Sequence, residues 1–141
     1  EKIILLGYLL RYWNIDENFD ENECANILNQ YASKIISVKG NCDNEESNRL
    51  LVFNNELDYL KINIDGIDYV ISHGHKELPI SAQHLICGHS HEYKLSESYI
   101  NPGSVGIPKG NCEHTCILYE NKSFKLINLD DFSILEEKNI V

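Results

Sequence analysis

Four of the chain's six histidines fall in two short pieces, Ser72-His73-Gly74-His75 and Gly88-His89-Ser90-His91. Each piece follows an apolar run, Tyr69-Val70-Ile71 before the first and Leu85-Ile86-Cys87 before the second. A β-strand that ends in a glycine-bearing loop presents polar side chains at the carboxyl edge of its sheet, where α/β proteins place their chemistry. Neutral imidazole is the commonest nitrogen ligand for Zn, Mn or Fe, so two such edges side by side point to a metal site. The alternative for either pair alone is an exposed His-Gly turn. A third loop, Gly40-Asn41-Cys42-Asp43, adds the carboxamide oxygen of Asn41, although Gly-Asn is also ordinary turn chemistry. A carboxamide and several imidazoles suit Mn, Fe or Zn, and a water on such a metal is a nucleophile. A carboxylate to bridge two metals does not emerge from spacing. Asp43 is the nearest candidate, with capping the turn or orienting a neighbour as its other roles.

The elements that must position these groups can be read in order. Lys2 to Gly7 is a continuous apolar run ending at glycine, the pattern of a buried parallel strand. Residues 8 to 19 look irregular, with Tyr12, Trp13 and Phe19 packing locally. Asp20 followed by Glu23 is a capping-box pattern, and Cys24, Ile27, Leu28 and Tyr31 then fall at helical spacing, which predicts a helix of about three turns. Lys34 to Lys39 is a second buried strand, completing a parallel strand–helix–strand unit. Asn44 to Asn48 reads as a helical turn. Leu57 to Ile64 and Ile67 to Ile71 alternate around Asp65-Gly66, the strongest short-range hairpin signal. Leu85 to Cys87 is a further short buried strand. Tyr99-Ile100 leads into a turn at Asn101-Pro102-Gly103-Ser104, and Cys116 to Tyr119, Ser123 to Leu129 and Phe132 to Glu136 read as closing strands. An early βαβ part and a later strand-rich part predict two packed sheets with helices outside.

Composition narrows the class. A chain of 141 residues with 43% hydrophobic content is one globular domain with a real core. The formal charge is −10, so extended nucleic-acid binding is disfavoured unless bound metal supplies positive charge. The five cysteines (Cys24, Cys42, Cys87, Cys112, Cys116) are an odd number without a C-x-x-C spacing, which favours free thiols and a reducing cytoplasm. Cys112 and Cys116 could pair or join His114 on a metal, but they lie in a strand-like run and are expected as buried thiols. No apolar run approaches the roughly 18 residues of a membrane span, and no signal peptide is expected.

Taken in order, Gly40-Asn41-Cys42-Asp43, Ser72-His73-Gly74-His75, Gly88-His89-Ser90-His91 and the stretch from Asn101-Pro102-Gly103-Ser104 to Ile107-Pro108-Lys109-Gly110 resemble the calcineurin-like metallophosphoesterases, most closely the small YfcE-type bacterial branch. The resemblance covers roughly residues 1 to 136. It implies a four-layer α/β/β/α sandwich and a two-metal site, usually Mn²⁺ with Zn²⁺, Fe²⁺ or Ni²⁺ as alternatives. In that reading Asn41, His73 and His89 ligate one metal and His91 the other. The metals, about 4 Å apart, generate the hydroxide that attacks a phosphodiester. Asn41, His73, His75 and His89 are the implied catalytic set, with Cys42 and Asp43 near the substrate. His75 either lines the phosphate site or is an exposed spectator. Cys42 stands where the wider superfamily has a histidine, so a proton donor for the leaving group is missing and activated diesters fit better than alkyl ones. Asn101 to Ser104 is read as a structural turn beneath the site.

The chain also departs from the pattern. The family's first strand ends in Asp-x-His, which has no counterpart here, and its second ends in Gly-Asp, where this chain has Gly7-Tyr8. The stretch after Gly7, the segment from His75 to Leu85 and that from His91 to Asn101 are short for the family. The chain has no methionine and begins at Glu1. Together these features predict a fragment, or a chain lacking residues and its first βα unit. Three function classes follow: a metal-dependent phosphodiesterase acting on a small diester; a degenerate scaffold like the retromer subunit of this fold, favoured by the lost ligands; and a single-metal or inactive remnant. The enzyme is the expectation, and self-association is left open.

Overall fold

The computed structural model describes residues 1–10 and 16–140, so the local packing expected of Tyr12 and Trp13 lies outside the described residues. β1 (Ile3–Leu5) and β2 (Ile35–Ser37) pair in parallel with Ile3 opposite Ile35, as the strand–helix–strand pattern predicts. The crossover carries α1 (Glu21–Asn29), whose first turn is closed by the Asp20 carboxylate accepting from the Glu23 N–H at 3.0 Å. Its buried face differs from the expected one. Ala25 is buried, with Cys24 and Leu28 packed beside it against Leu10 and Leu51, whereas Ile27 is 52% and Tyr31 47% exposed. The Asn29 side chain sets this rotation by donating to the Leu50 carbonyl (2.8 Å) and accepting from the Val52 N–H (2.9 Å). Residues one turn earlier on the same stripe, Ala25 first, are thereby turned onto the 50–53 segment. α2 (Glu45–Asn48) is a single turn capped by Asn44, which accepts from the Ser47 N–H.

The largest sheet has five strands in the order β3-β4-β5-β7-β6. β3 (Tyr59–Ile64) and β4 (Ile67–Ser72) form the predicted hairpin, Ile64 opposite Ile67. Asp65 and Gly66 both have positive φ (48° and 90°), the two-residue turn whose twist matches that of the strands. β5 (Leu85–Cys87) adds parallel to β4, and β7 (Tyr99–Pro102) parallel to β5. β6 (Tyr93–Leu95), which three residues of alternation are too short to announce, pairs antiparallel with β7 and places Lys94 opposite Asn101. Asn101 and Pro102 are therefore strand residues, and the expected turn begins only at Gly103 (φ 77°).

A third sheet is an antiparallel meander of β8 (Thr115–Glu120), β9 (Ser123–Asn128) and β10 (Ile134–Asn139). Phe132, expected to begin the last strand, has φ 60° and is 76% exposed; its left-handed backbone cannot join a ladder. Cys112 lies in the loop before β8 and not in a strand, Cys116 lies in β8, and all five thiols are free. One apolar cluster joins the three sheets. Val38 follows β2; Tyr69, Ile71, Ile86, Leu95 and Ile100 come from the five-stranded sheet, and Phe124 from the meander. Tyr69 and Phe124 meet edge to face at 5.9 Å, a favoured aromatic geometry. This sheet-rich α/β arrangement carries few helices among the described residues, and none of those is long and apolar enough to cross a membrane.

Candidate metal centre

β1 and β2 pair in parallel in one sheet and β4 and β5 in another, and with Gly7 lying against His73 and Gly88 against Leu6 the four loops that follow these strands meet. The close approach depends on glycine. A Cβ on Gly7, whose φ is 104°, would lie 2.5 Å from His73 Nδ1 and 2.7 Å from the Gly40 Cα. The buried Asp43 carboxylate ties the loops together by accepting from the backbone N–H groups of Gly40 (2.8 Å), Tyr8 (3.0 Å) and Leu9 (3.1 Å). Burial dominates its titration and pushes its pKa up, with these hydrogen bonds working the other way. Expected near the substrate, Asp43 is instead a 6% exposed clamp whose oxygens face the backbone.

His73 is 1% exposed. Its Nδ1 lies 2.5 Å from the Leu6 carbonyl, which can only accept, so Nδ1 carries the proton and Nε2 keeps a lone pair. Burial lowers its pKa to about 4, with His89, His75 and His91 adding to the effect, so the ring is neutral near pH 7. The Nε2 lone pair faces Asn41 Oδ1 at 3.0 Å and His89 Nδ1 at 3.2 Å. Buried His91 repeats the same device, with Nδ1 2.6 Å from the Ile107 carbonyl. Burial also leads the lowering of its pKa. A backbone carbonyl that fixes one ring nitrogen leaves the other oriented as a metal ligand.

His89 and His91 both have left-handed backbones (φ 67° and 60°), so the Gly88-His89-Ser90-His91 loop is strained in aiming its rings. Asn101, 1% exposed, supports it by donating from Nδ2 to the Gly88 carbonyl (2.9 Å) and to Ser90 Oγ (3.0 Å). That agrees with the expected place of the Asn101 stretch beneath the site. His75 is half-buried with its ring 5.3 Å from that of His73, and its Nδ1 is buried with no hydrogen bond, so it borders the cluster and is not an exposed spectator. Burial, then Lys76, lowers its pKa. A cleft of about 410 Å³ lined by Lys61, Asp68, Tyr69 and His84 lies at the far end of β4 and is separate from this cluster.

The residue that sequence reasoning left out of the site is Tyr8, noted there only as a departure. Its hydroxyl lies 2.5 Å from Asn41 Oδ1 and 3.1 Å from His89 Nδ1. Its ring stands edge-on to His73 at 4.3 Å and tilted to His91 at 5.4 Å. Cys42 also hydrogen-bonds to it, although burial leads and raises the thiol's pKa. Like Asn41, Tyr8 directly follows a strand-end glycine, and that position was the available signal.

Asn41, His73 and His89 are thus brought together as one donor set, while His91 meets the cluster through the Tyr8 ring. His73 Nε2 and Asn41 Oδ1 are two acceptors 3.0 Å apart, and that separation is what adjacent ligands on one cation show. The donors fit one ion. Among the described residues no group of three or more His, Cys, Asp or Glu side chains is arranged to hold a metal ion, so a second, carboxylate-bridged ion finds no such fit there.

This fold is that of a metallophosphoesterase-type protein. The calcineurin-like phosphoesterase superfamily domain matches residues 15–123. The phosphodiesterase YfcE of Escherichia coli is 30% identical over 148 residues, which span 96% of this chain and 80% of the relative. The solved structure of the E. coli YfcE phosphoesterase matches with a TM-score of 0.88 at 29% identity, over 99% of this chain and 84% of that one. A single mutant of Vps29 from Entamoeba histolytica shares the fold at 18% identity and a TM-score of 0.60, over 98% of this chain and 99% of that one. The chain belongs to the calcineurin-like phosphoesterase superfamily, hydrolases that act on phosphoester bonds with divalent metals.

Proposed function

We propose that the chain is a metal-dependent phosphodiesterase whose site is built on Asn41, His73, His89 and His91. The observation that carries this reading is the neutral His73 Nε2 lone pair turned onto the Asn41 Oδ1 acceptor at 3.0 Å, two acceptors that a shared cation would bring together. The cation supplies Lewis acidity against charge developing on the phosphoryl oxygens. Mn²⁺ is the ion the family resemblance favours, and the imidazoles also suit Zn²⁺, Fe²⁺ or Ni²⁺. In this reading His75, whose buried Nδ1 has no hydrogen-bond partner, holds a phosphoryl oxygen through hydrogen bonding. The Cys42 thiol, kept protonated by burial, is a weak donor to a leaving group, so aryl and other activated diesters are the substrate class. With a net charge of −10, a small diester suits the surface better than extended nucleic acid. Five free thiols fit a reducing cytoplasm.

The test is hydrolysis of bis-p-nitrophenyl phosphate with added Mn²⁺, using His89→Ala as control. Metal-dependent turnover lost in His89→Ala is the expected result; no turnover by the parent chain overturns the reading. A second reading, a catalytically degenerate scaffold, is favoured by one observation, the Tyr8 hydroxyl lying among the donors. That reading predicts no turnover with any divalent ion.

A further inference from the structure

We propose that the phenol oxygen of Tyr8 is itself a metal donor, closing a four-membered ring with Asn41 Oδ1, His73 Nε2 and His89 Nδ1 around one transition-metal ion. This rests on the metal-dependent reading above and adds a ligand to it. Round the ring the separations are 2.5 Å from Tyr8 to Asn41, 3.0 Å from Asn41 to His73, 3.2 Å from His73 to His89 and 3.1 Å from His89 back to Tyr8. Two ligands at right angles on an ion, each with a bond of about 2.1 Å, stand about 3 Å apart. Three of the four edges lie close to that value, and the Tyr8–Asn41 edge is shorter.

The ring is held in place from outside. Leu6's carbonyl fixes the tautomer of His73, and the Asp43 carboxylate grips the backbone N–H groups of Tyr8 and Leu9. The Tyr8 ring is wedged between His73 and His91. Tyr8 also has a left-handed backbone (φ 57°), directly after Gly7 at φ 104°, so its position is fixed by strained main chain and not by a swinging side chain. A removable plug needs a hinge, and these contacts deny it one. As the oxygen–metal bond forms, the phenolic proton passes to water, giving an otherwise neutral donor set one negative charge. Two imidazoles with a phenolate oxygen suit iron, zinc or cobalt better than magnesium.

The test uses the metal-free chain titrated with Co²⁺ by calorimetry, and the same chain given Fe³⁺ as a nitrilotriacetate chelate, which turns a phenolate ligand into a visible charge-transfer chromophore. The expected result is that Tyr8→Phe weakens Co²⁺ binding at least about tenfold and abolishes the visible Fe³⁺ band. Tyr119→Phe, whose hydroxyl bonds Asp65, leaves both unchanged. Equal or tighter Co²⁺ binding by Tyr8→Phe, or a persisting band, overturns the proposal while leaving the metal-dependent reading intact. If Tyr8→Phe fails to fold, resonance Raman of the parent's Fe³⁺ form decides, with tyrosine ring modes expected and their absence contrary. If neither ion binds the parent chain more tightly than it binds His89→Ala, the metal-dependent reading itself fails, and this inference with it.

Discussion

His73 Nε2 and Asn41 Oδ1 lie 3.0 Å apart, and the Leu6 carbonyl on the far side of the imidazole ensures that the nitrogen facing Asn41 is the unprotonated one. Two acceptors are held together by the packing of separate loops, on chain segments 32 residues apart. Their repulsion is relieved by a cation, or by a proton when the pH falls far enough.

The proton case gives a pH prediction for the metal-free chain. His73 titrates near 4 in the fold against 6.5 for an ordinary histidine, because burial penalises its charged form. A depressed pKa means the folded state prefers the neutral ring. This contribution to stability is complete above about pH 6.5 and is lost progressively as pH falls towards 4. His75 and His91 shift in the same direction. Urea midpoints measured at several pH values between 7.5 and 4.5 should fall with acid, and less steeply in His73→Gln. Identical slopes would count against this origin.

Asp43→Ala removes one carboxylate from three backbone N–H groups and leaves the Gly40, Tyr8 and Leu9 donors without it. A loss of about 3 kcal/mol in urea unfolding is expected. Asp43→Asn, which keeps one acceptor oxygen, should lose less. A neutral result for alanine would mean that water satisfies those donors.

Gly7→Ala tests the close approach of the loops. The new methyl would meet His73 Nδ1 at 2.5 Å and the Gly40 Cα at 2.7 Å, in a backbone at φ 104°. Destabilisation of about 2–3 kcal/mol is expected from strain alone, measurable by thermal or urea unfolding. The same change at Gly66, where an added Cβ meets nothing within 4 Å, isolates the cost of positive φ without the clash.

Asn101→Ala should act on the metal site from below. The Nδ2 bonds to the Gly88 carbonyl and Ser90 Oγ hold the loop in which His89 and His91 adopt left-handed backbones. About a tenfold loss of divalent-ion affinity is expected by calorimetry, the usual range for groups that orient ligands. Unchanged affinity would show that Gly88 and the strands orient the loop without help.

Local chemistry wrote much of this fold into the sequence. Asp20 and Glu23 announced the start of α1, Asp65-Gly66 the β3–β4 hairpin, and glycines after apolar runs the loops that carry Asn41, His73 and His89, because caps, tight turns and strand ends depend on residues a few positions apart. The order of those loops was enough to reveal the family. What tertiary structure alone decided depends on partners far along the chain. Asn29 reaching Leu50 and Val52 turned α1 so that Ile27 faces outward, and pairing with β7 made a strand of Tyr93–Leu95. Asp43 became a clamp because the loop after β1 arrived above it. Tyr8 could be read from its neighbours only as a lost carboxylate. Asn41 is 33 residues from it and His89 81, and only the meeting of the loops makes its hydroxyl part of the donor ring.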